Sequence, residues 1–359
     1  MLILTVIGNR PQFVKAAAVS RLLRERHREV LVHTGQHYDD ELSQVFFEEL
    51  GVPAPDRQLG AGGGSNTQQT ARILALLEGV LDETEPDLAL VYGDTNSTLA
   101  AALAASQAGV PVAHVEAGMR SFDRRMPEEV NRAVVDHVSD LLLCSTQTAV
   151  DNLARESAVG EAHLVGDVMA DVSLAFKPIA ERRSRALADH GVEPGRYLLV
   201  TAHRPGNVDA RERLELLVEL LEALPLPTLV PLHPRTAARL AQARLRERLA
   251  AAPNVRLMPP LGYLDFTKLA MHARAILTDS GGVQKEAYLL GVPCVTLREN
   301  TEWVETVEAG WNTLVALDRT AALAALERPR PDGERPELYG GGHAARRVCE
   351  VLSAYTQPR

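Results

Sequence analysis

Short apolar runs alternate along the chain with longer stretches in which apolar residues recur every three or four positions. Residues 2–7 read as a strand, and a helical pattern begins at Pro11. A strand over 30–33 follows, then one over 87–92 with a helix over 95–107. Uninterrupted apolar runs are what strands buried on both faces require, and the amphipathic stretches supply the helices that cover them. The rhythm continues through 112–115 and 140–144. A charged helical stretch at 180–190 interrupts it, and 196–201 restarts it, with further strands at 228–231, 255–258, 275–278 and 293–297. The pattern predicts two doubly wound α/β halves of Rossmann type, 1–166 and 167–342. Ligand loops at the carboxyl ends of their strands should face one another across a cleft.

Length supports the division, because 359 residues exceed one ordinary core and suit two domains. With 38 basic against 47 acidic residues the net charge is -9, which argues against nucleic acid or an anionic membrane as partner. A phosphate ligand would need locally placed cations. Cys144, Cys294 and Cys349 sit far apart, mostly in apolar runs, and read as buried thiols rather than a disulfide framework. The apolar stretch 2–7 is too short for a signal-peptide core and no later segment resembles a membrane span, so a cytoplasmic protein is expected.

The loops after the strands carry the chemistry. After the first strand, Gly8-Asn9-Arg10-Pro11 through Lys15 places two cations around a helix N-terminus, suited to clamping phosphate or equally to an ordinary basic turn. Asp94 and Thr95 follow the strand 87–92, where either could cap the next helix. Glu116 ends 112–115, and Glu128 and Glu129 come a few residues later. Carboxylates gathered in a cleft push one another's proton affinities apart, as general acid and base work requires. The alternative is solvated turn acids paired with Arg120, Arg124 and Arg125.

In the second half His203 and His233 end successive strands as phosphate or acid-base candidates, without the spacing of a metal site. His33 and His37 are four apart, but Thr34-Gly35-Gln36 breaks any helix that would align them; no metal is expected. Thr278 to Glu286 closes a strand and opens a helix. Its paired glycines would let backbone amides approach an anion while Glu286 accepts from ribose hydroxyls, a combination favouring a nucleotide diphosphate. The patch Gly60 to Gly64 lacks the dinucleotide spacing and reads as a flexible loop.

Taken in order, Gly8 to Lys15, Gly93-Asp94-Thr95, His114-Val115-Glu116-Ala117-Gly118, Pro127 to Arg132, His203-Arg204, Asp279 to Glu286 and Tyr339-Gly340-Gly341-Gly342 resemble the non-hydrolysing UDP-N-acetylglucosamine 2-epimerase family. The resemblance covers nearly the whole chain. It implies a glycosyltransferase-B type fold of two Rossmann-like domains, a last helix over 343–359 returning to the N-terminal domain, and a homodimer formed through that domain. It implies Asp94, Glu116 and Glu128 as catalytic carboxylates, with His203 beside them. Arg10, Lys15, His203, Ser280, Gly281, Gly282 and Glu286 would hold UDP, with Phe266 near uracil. The implied reaction inverts carbon 2 of a UDP-linked 2-acetamido sugar through 2-acetamidoglucal, for surface polysaccharide precursors, with no cofactor. His233 stays a phosphate candidate.

The departures point to a branch. Trp303-Val304-Glu305 stands where most members carry Arg-Pro-Glu, and Gly206 where a glutamate usually follows the His-Arg pair. The Trp303-Val304-Glu305 run, with Arg10 to Phe13, Ser121 to Met126 and Leu338 to Gly342, resembles the UDP-2,3-diacetamido-2,3-dideoxyglucuronate 2-epimerases. Arg124 or Arg125 would then meet a sugar carboxylate and Trp303 an added acetamido methyl. Gln36, His37, Gln44 and Arg72 partly match the family's allosteric UDP-N-acetylglucosamine site, with Tyr38 replacing a usual basic residue. A retaining glycosyltransferase of the same architecture would need an acceptor groove rather than an acid cluster, and a non-catalytic sensor would be expected to have lost carboxylates.

Overall fold

The computed structural model describes residues 1–36, 54–331 and 334–356, with the Arg10 side chain also outside the description. The chain divides into two compact units, Met1–Val172 with Glu337–Arg359, and Ser173–Pro336.

The first unit is a parallel sheet in the order β3-β2-β1-β4-β5-β6-β7. Its strands are β1 Leu2–Ile7, β2 Arg28–His33, β3 Arg57–Gln58, β4 Leu88–Tyr92, β5 Val112–Ala117, β6 Leu141–Cys144 and β7 Glu161–Leu164. Register is set by apolar pairs such as Ile3 opposite Leu88 and Leu90 opposite Ala113. Alternate residues of β1 face opposite sides: Ile3 and Ile7 pack with the helix Arg10–Leu23, Leu4 and Val6 with the helices Asn66–Thr84 and Asn96–Gln107. Both faces are therefore buried, which is why the strand reads as one apolar run.

The second unit repeats the plan in the order β10-β9-β8-β11-β12-β13. Here β8 is Leu198–Thr201, β9 Thr228–Pro231, β10 Val255–Met258, β11 Ala275–Thr278, β12 Cys294–Thr296 and β13 Asn312–Leu314. In both sheets strand order reverses beside the first strand of the unit, between β1 and β4 and between β8 and β11. A crevice at the carboxyl ends of those pairs is the place where such sheets bind ligands.

The unit boundaries differ from the expected 166/167 and 342/343. The helix Val168–Arg183 begins in the first unit because its first turn is tied there: Asp167 N donates to Tyr339 O at 3.0 Å, and Asp171 accepts from the amides of Ala344 and Ala345 at 3.0 and 2.7 Å. Asp171 thereby satisfies donors at the start of the last helix, Ala344–Ala354. That helix buries Ala345, Val348, Cys349 and Leu352 against Arg10–Leu23 and completes one face of the first unit. All three cysteines are buried and free, and burial pushes each thiol up to about 12. No helix among the described residues is long and apolar enough to cross a membrane.

Candidate active site

In the first unit the loops after β1, β4 and β5 are knitted together at the point of strand reversal. Asn9 caps the helix Arg10–Leu23 through Gln12 N at 3.1 Å. The buried Gln12 carboxamide then crosses the sheet, donating to Tyr92 O at 2.6 Å and to the Thr98 hydroxyl at 2.7 Å. Lys15, one turn further on, is ion-paired with Glu116. Burial disfavours the Lys15 charge, yet Glu116, with Asp167 and Asp94 further off, raises its affinity for the proton above the ordinary ammonium value. Three carboxylates thus act on one buried ammonium. Gly93, at φ 62°, leaves the space this needs, since a Cβ there would lie 3.3 Å from Glu116 Oε2 and 3.5 Å from Lys15 Nζ.

Asp94 is held from the helix Pro127–Val138, where Arg132 donates Nε and Nη2 to Oδ2 at 3.0 and 2.6 Å. Asn131 on the same helix donates to Asp94 O at 2.9 Å. The neighbouring Glu128 and Glu129 have separate environments. Glu129 is buried and accepts from Ser121 N, the Ser121 hydroxyl, Phe122 N and Arg132. Burial works against its charge, but those donors hold its carboxyl below the usual range. Glu128 is exposed in the first helical turn, with no hydrogen-bond or ion-pair partner among the described residues.

In the second unit Asp279, fully buried after β11, accepts from His203 N at 3.0 Å, Arg204 N at 2.9 Å and Asn207 Nδ2 at 3.1 Å, all after β8. It plays the same crossing role as Gln12. The His203 ring stands with Nδ1 3.5 Å from Asp279 and stacks on His233, centroids 5.1 Å apart. Burial lowers the His203 proton affinity; Asp279 opposes this, while His233, Arg204 and Arg235 add to it. Nδ1 of His233 accepts from Arg235 N at 3.2 Å.

Ser280 opens the helix Gly281–Leu290, whose first amides carry no side-chain cap. Neither Gly281 nor Gly282 has positive φ, so their value lies in bare backbone rather than in an unusual turn. Glu286, a turn further in, is hydrogen-bonded to Tyr263, whose phenol is raised by burial and then by this carboxylate. Half-buried Phe266 lies on the same helix as Tyr263, Tyr263–His272.

Other sequence candidates take narrower places. Arg125 is exposed but bound to Asp123 through Nε and Nη2, both at 2.8 Å, whereas exposed Arg124 has no side-chain partner among the described residues. Trp303 is 5% exposed, with the Lys285 ammonium 4.3 Å from its ring and its Nε1 beside Gly281. It backs Gly281 instead of presenting open surface. The Gln36 carboxamide oxygen accepts from Ser97 N and Oγ at 3.1 and 2.6 Å, and Arg72 donates to the carbonyls of Gly62 and Gly63. The glycine patch is thus a pinned turn, with Ala61 N also donating to Thr34 O at 2.8 Å. His37, Tyr38 and Gln44 lie outside the described residues.

A family model described as UDP-N-acetylglucosamine 2-epimerase matches residues 21–353. The chain belongs to that family. A UDP-N-acetylglucosamine 2-epimerase homolog of Methanococcus maripaludis is 46% identical over 98% of this chain and 99% of its own. A UDP-2,3-diacetamido-2,3-dideoxy-D-glucuronate 2-epimerase of Pseudomonas aeruginosa is also 46% identical, over the same shares. The crystal structure of the Methanocaldococcus jannaschii UDP-GlcNAc 2-epimerase, in complex with UDP-GlcNAc and UDP, matches with a TM-score of 0.90 at 39% identity, covering 99% of this chain and 100% of that one. The two Rossmann-like units are those of this carbohydrate-epimerase family.

Several residues that organise the epimerase loops have partners that spacing in the sequence does not reveal. Arg132 reaches Asp94 from 38 positions away, and Arg120 pairs with Asp136 and Glu156 rather than with the candidate acids. Gln12 and Asp279 lie inside the recognised motifs, but their crossing contacts appear only once the strands are ordered.

Proposed function

We propose that this epimerase inverts carbon 2 of a UDP-linked 2-acetamido sugar, converting UDP-N-acetylglucosamine to UDP-N-acetylmannosamine. Carbon 2 has no adjacent carbonyl, so its proton is not acidic until the bond from carbon 1 to the diphosphate oxygen begins to break. Arg10, Lys15, His203 and the amides at Ser280 to Gly282 would stabilise the departing diphosphate, with Glu286 on the ribose and Phe266 near uracil. One of Asp94, Glu116 and Glu128 would take the carbon 2 proton. The products of that step are UDP and 2-acetamidoglucal. Re-forming the carbon 1 to oxygen bond while a proton arrives on the opposite face of carbon 2 gives the epimer. Electrons balance without a redox cofactor.

The observation that carries this reading is the Lys15–Glu116 pair in the electrostatic reach of Asp94, at the carboxyl ends of β1, β4 and β5. Proton NMR of the purified protein with UDP-N-acetylglucosamine in heavy water tests it, because epimerisation must exchange the carbon 2 hydrogen with solvent. Binding without exchange would leave a transferase or a sensor.

A second substrate is favoured by one feature. Arg124 precedes the helix carrying Glu128 with its guanidinium uncommitted among the described residues, as a bidentate partner for a uronate carboxylate would need. The P. aeruginosa relative is named for UDP-2,3-diacetamido-2,3-dideoxy-D-glucuronate. Comparing kcat/KM for the two UDP-sugars on the parent and on Arg124→Ala separates the readings. A uronate preference that this substitution removes would make the uronate the substrate.

A further inference from the structure

Glu116 is held in a conformation that its own loop does not explain. It sits at φ 73°, in the left-handed region where a non-glycine side chain strains the backbone. The register of β5 against β6 shifts there, between Val115 and Ala117. Such a kink persists only if its surroundings fix the chain on both sides.

Both sides lead to one carboxylate. Two residues before Glu116, fully buried His114 donates from Nε2 to Gly93 O at 2.7 Å, and its Nδ1 lies 2.7 Å from Asp136 Oδ1. Two residues after it, Gly118 N donates to Asp136 Oδ2 at 3.1 Å. Arg120 Nη1 binds the same oxygen at 2.7 Å, and its Nη2 holds Glu156 at 2.6 Å. Asn152 closes the other side of the loop, donating to Gly118 O at 3.0 Å. Asp136, on the helix Pro127–Val138, is itself fully buried. Burial disfavours its charge, but His114 and then Arg120 hold its carboxyl below the ordinary range.

We propose that Asp136 is a positioning residue for Glu116. Through His114 and the Gly118 amide it fixes the left-handed turn that presents the Glu116 carboxylate to Lys15, and through His114 it fixes Gly93, whose bare backbone lets that pair form. This rests on the reading of Glu116 as a proton-transferring carboxylate. Asp136 touches no reacting atom; its action runs through Glu116.

The test is a double-mutant cycle on the full chain, read as carbon 2 hydrogen exchange in heavy water, with kcat, KM and thermal melting alongside. Asp136→Asn should lower kcat by about 100-fold with KM changed by less than about threefold, as misplacing a reacting group does. In the Glu116→Gln background, Asp136→Asn should lower the residual exchange no further, because the group it positions is gone. Equal losses in the two backgrounds, or a folded Asp136→Asn with parental kcat, would overturn the proposal. Should Asp136→Asn fail to fold, His114→Gln, which retains an amide donor for Gly93, carries the same cycle. If Glu116→Gln itself keeps full turnover, the reading of Glu116 has failed. If Glu116→Gln is dead and Asp136→Asn is not, the positioning role alone has failed.

Discussion

Glu128 and Glu129 are adjacent in the chain and opposite in circumstance. Glu129 is surrounded by donors from Ser121, Phe122 and Arg132, whereas Glu128 has none among the described residues. Glu129→Gln should therefore cost about 1–3 kcal/mol, because an amide nitrogen is brought against groups that donate. The Glu129 carboxyl is depressed in the folded state, so its contribution is fully present above the unfolded carboxylate value and fades as pH falls through the folded one. The stability gap between parent and Glu129→Gln should close on acidification. Glu128→Gln should leave melting unchanged and cut turnover by about 100-fold or more, the scale of a lost proton transfer. Thermal melts at several pH values and turnover assays on both variants check this; a Glu128→Gln variant that melts earlier but turns over normally would reverse the two roles. The motif shows two glutamates at the start of a helix, but their division of labour depends on where Ser121 and Arg132 fold, which no spacing reveals. Trp303 is a similar case. Residue type suggested an aromatic surface, and only packing against Gly281 and Lys285 makes it a support.

The strands missed from the sequence, β3, β7 and β13, are all at sheet edges. β3 and β7 are mostly exposed and β13 is half-buried, so none carries the apolar run that marks the central strands. Central strands and the loops after them were legible, because burial on both faces forces the pattern. In the second unit those loops give a pH prediction. His203 has a lowered proton affinity through burial, opposed by Asp279 and reinforced by His233, Arg204 and Arg235. A bound diphosphate favours the charged ring, so binding should take up a proton and tighten as pH falls, the dependence continuing below the ordinary imidazole value of about 6.5 because the free ring is depressed. UDP-N-acetylglucosamine is the suitable probe, since its diphosphate does not titrate there. Calorimetry should find this dependence in the parent and a flatter one in His203→Gln; identical slopes would remove His203 from the diphosphate. Arg10→Ala and Glu286→Ala should both weaken binding, and salt should erode the contribution of Arg10 more than that of Glu286, because a charge pair is screened and a hydroxyl partner is not. Equal salt dependence in the two variants would contradict that assignment.

At the scale of the whole chain, the first unit is assembled from both ends. Its sheet is complete by β7, yet the side of that sheet under Arg10–Leu23 is closed by Ala344–Ala354, which arrives after the chain has built the entire second unit. Asp167 and Asp171 receive the returning segment through Tyr339 O and the amides of Ala344 and Ala345. Stability of the first unit should therefore depend on a helix more than 170 positions away from those anchors, while the second unit keeps its own two core clusters. Leu352 is fully buried in that helix, among the residues covering Arg10–Leu23. Leu352→Ala should cost about 2–5 kcal/mol through lost transfer energy and the cavity left behind. The loss should fall on the first unit alone. Hydrogen exchange followed peptide by peptide should then find β1, β4 and β5 less protected, with β8, β9 and β11 unchanged, since their packing contains no residue of the last helix. Uniform loss of protection across both sheets would mean that the two units unfold as one, and that the last helix stabilises the whole chain rather than the unit it completes.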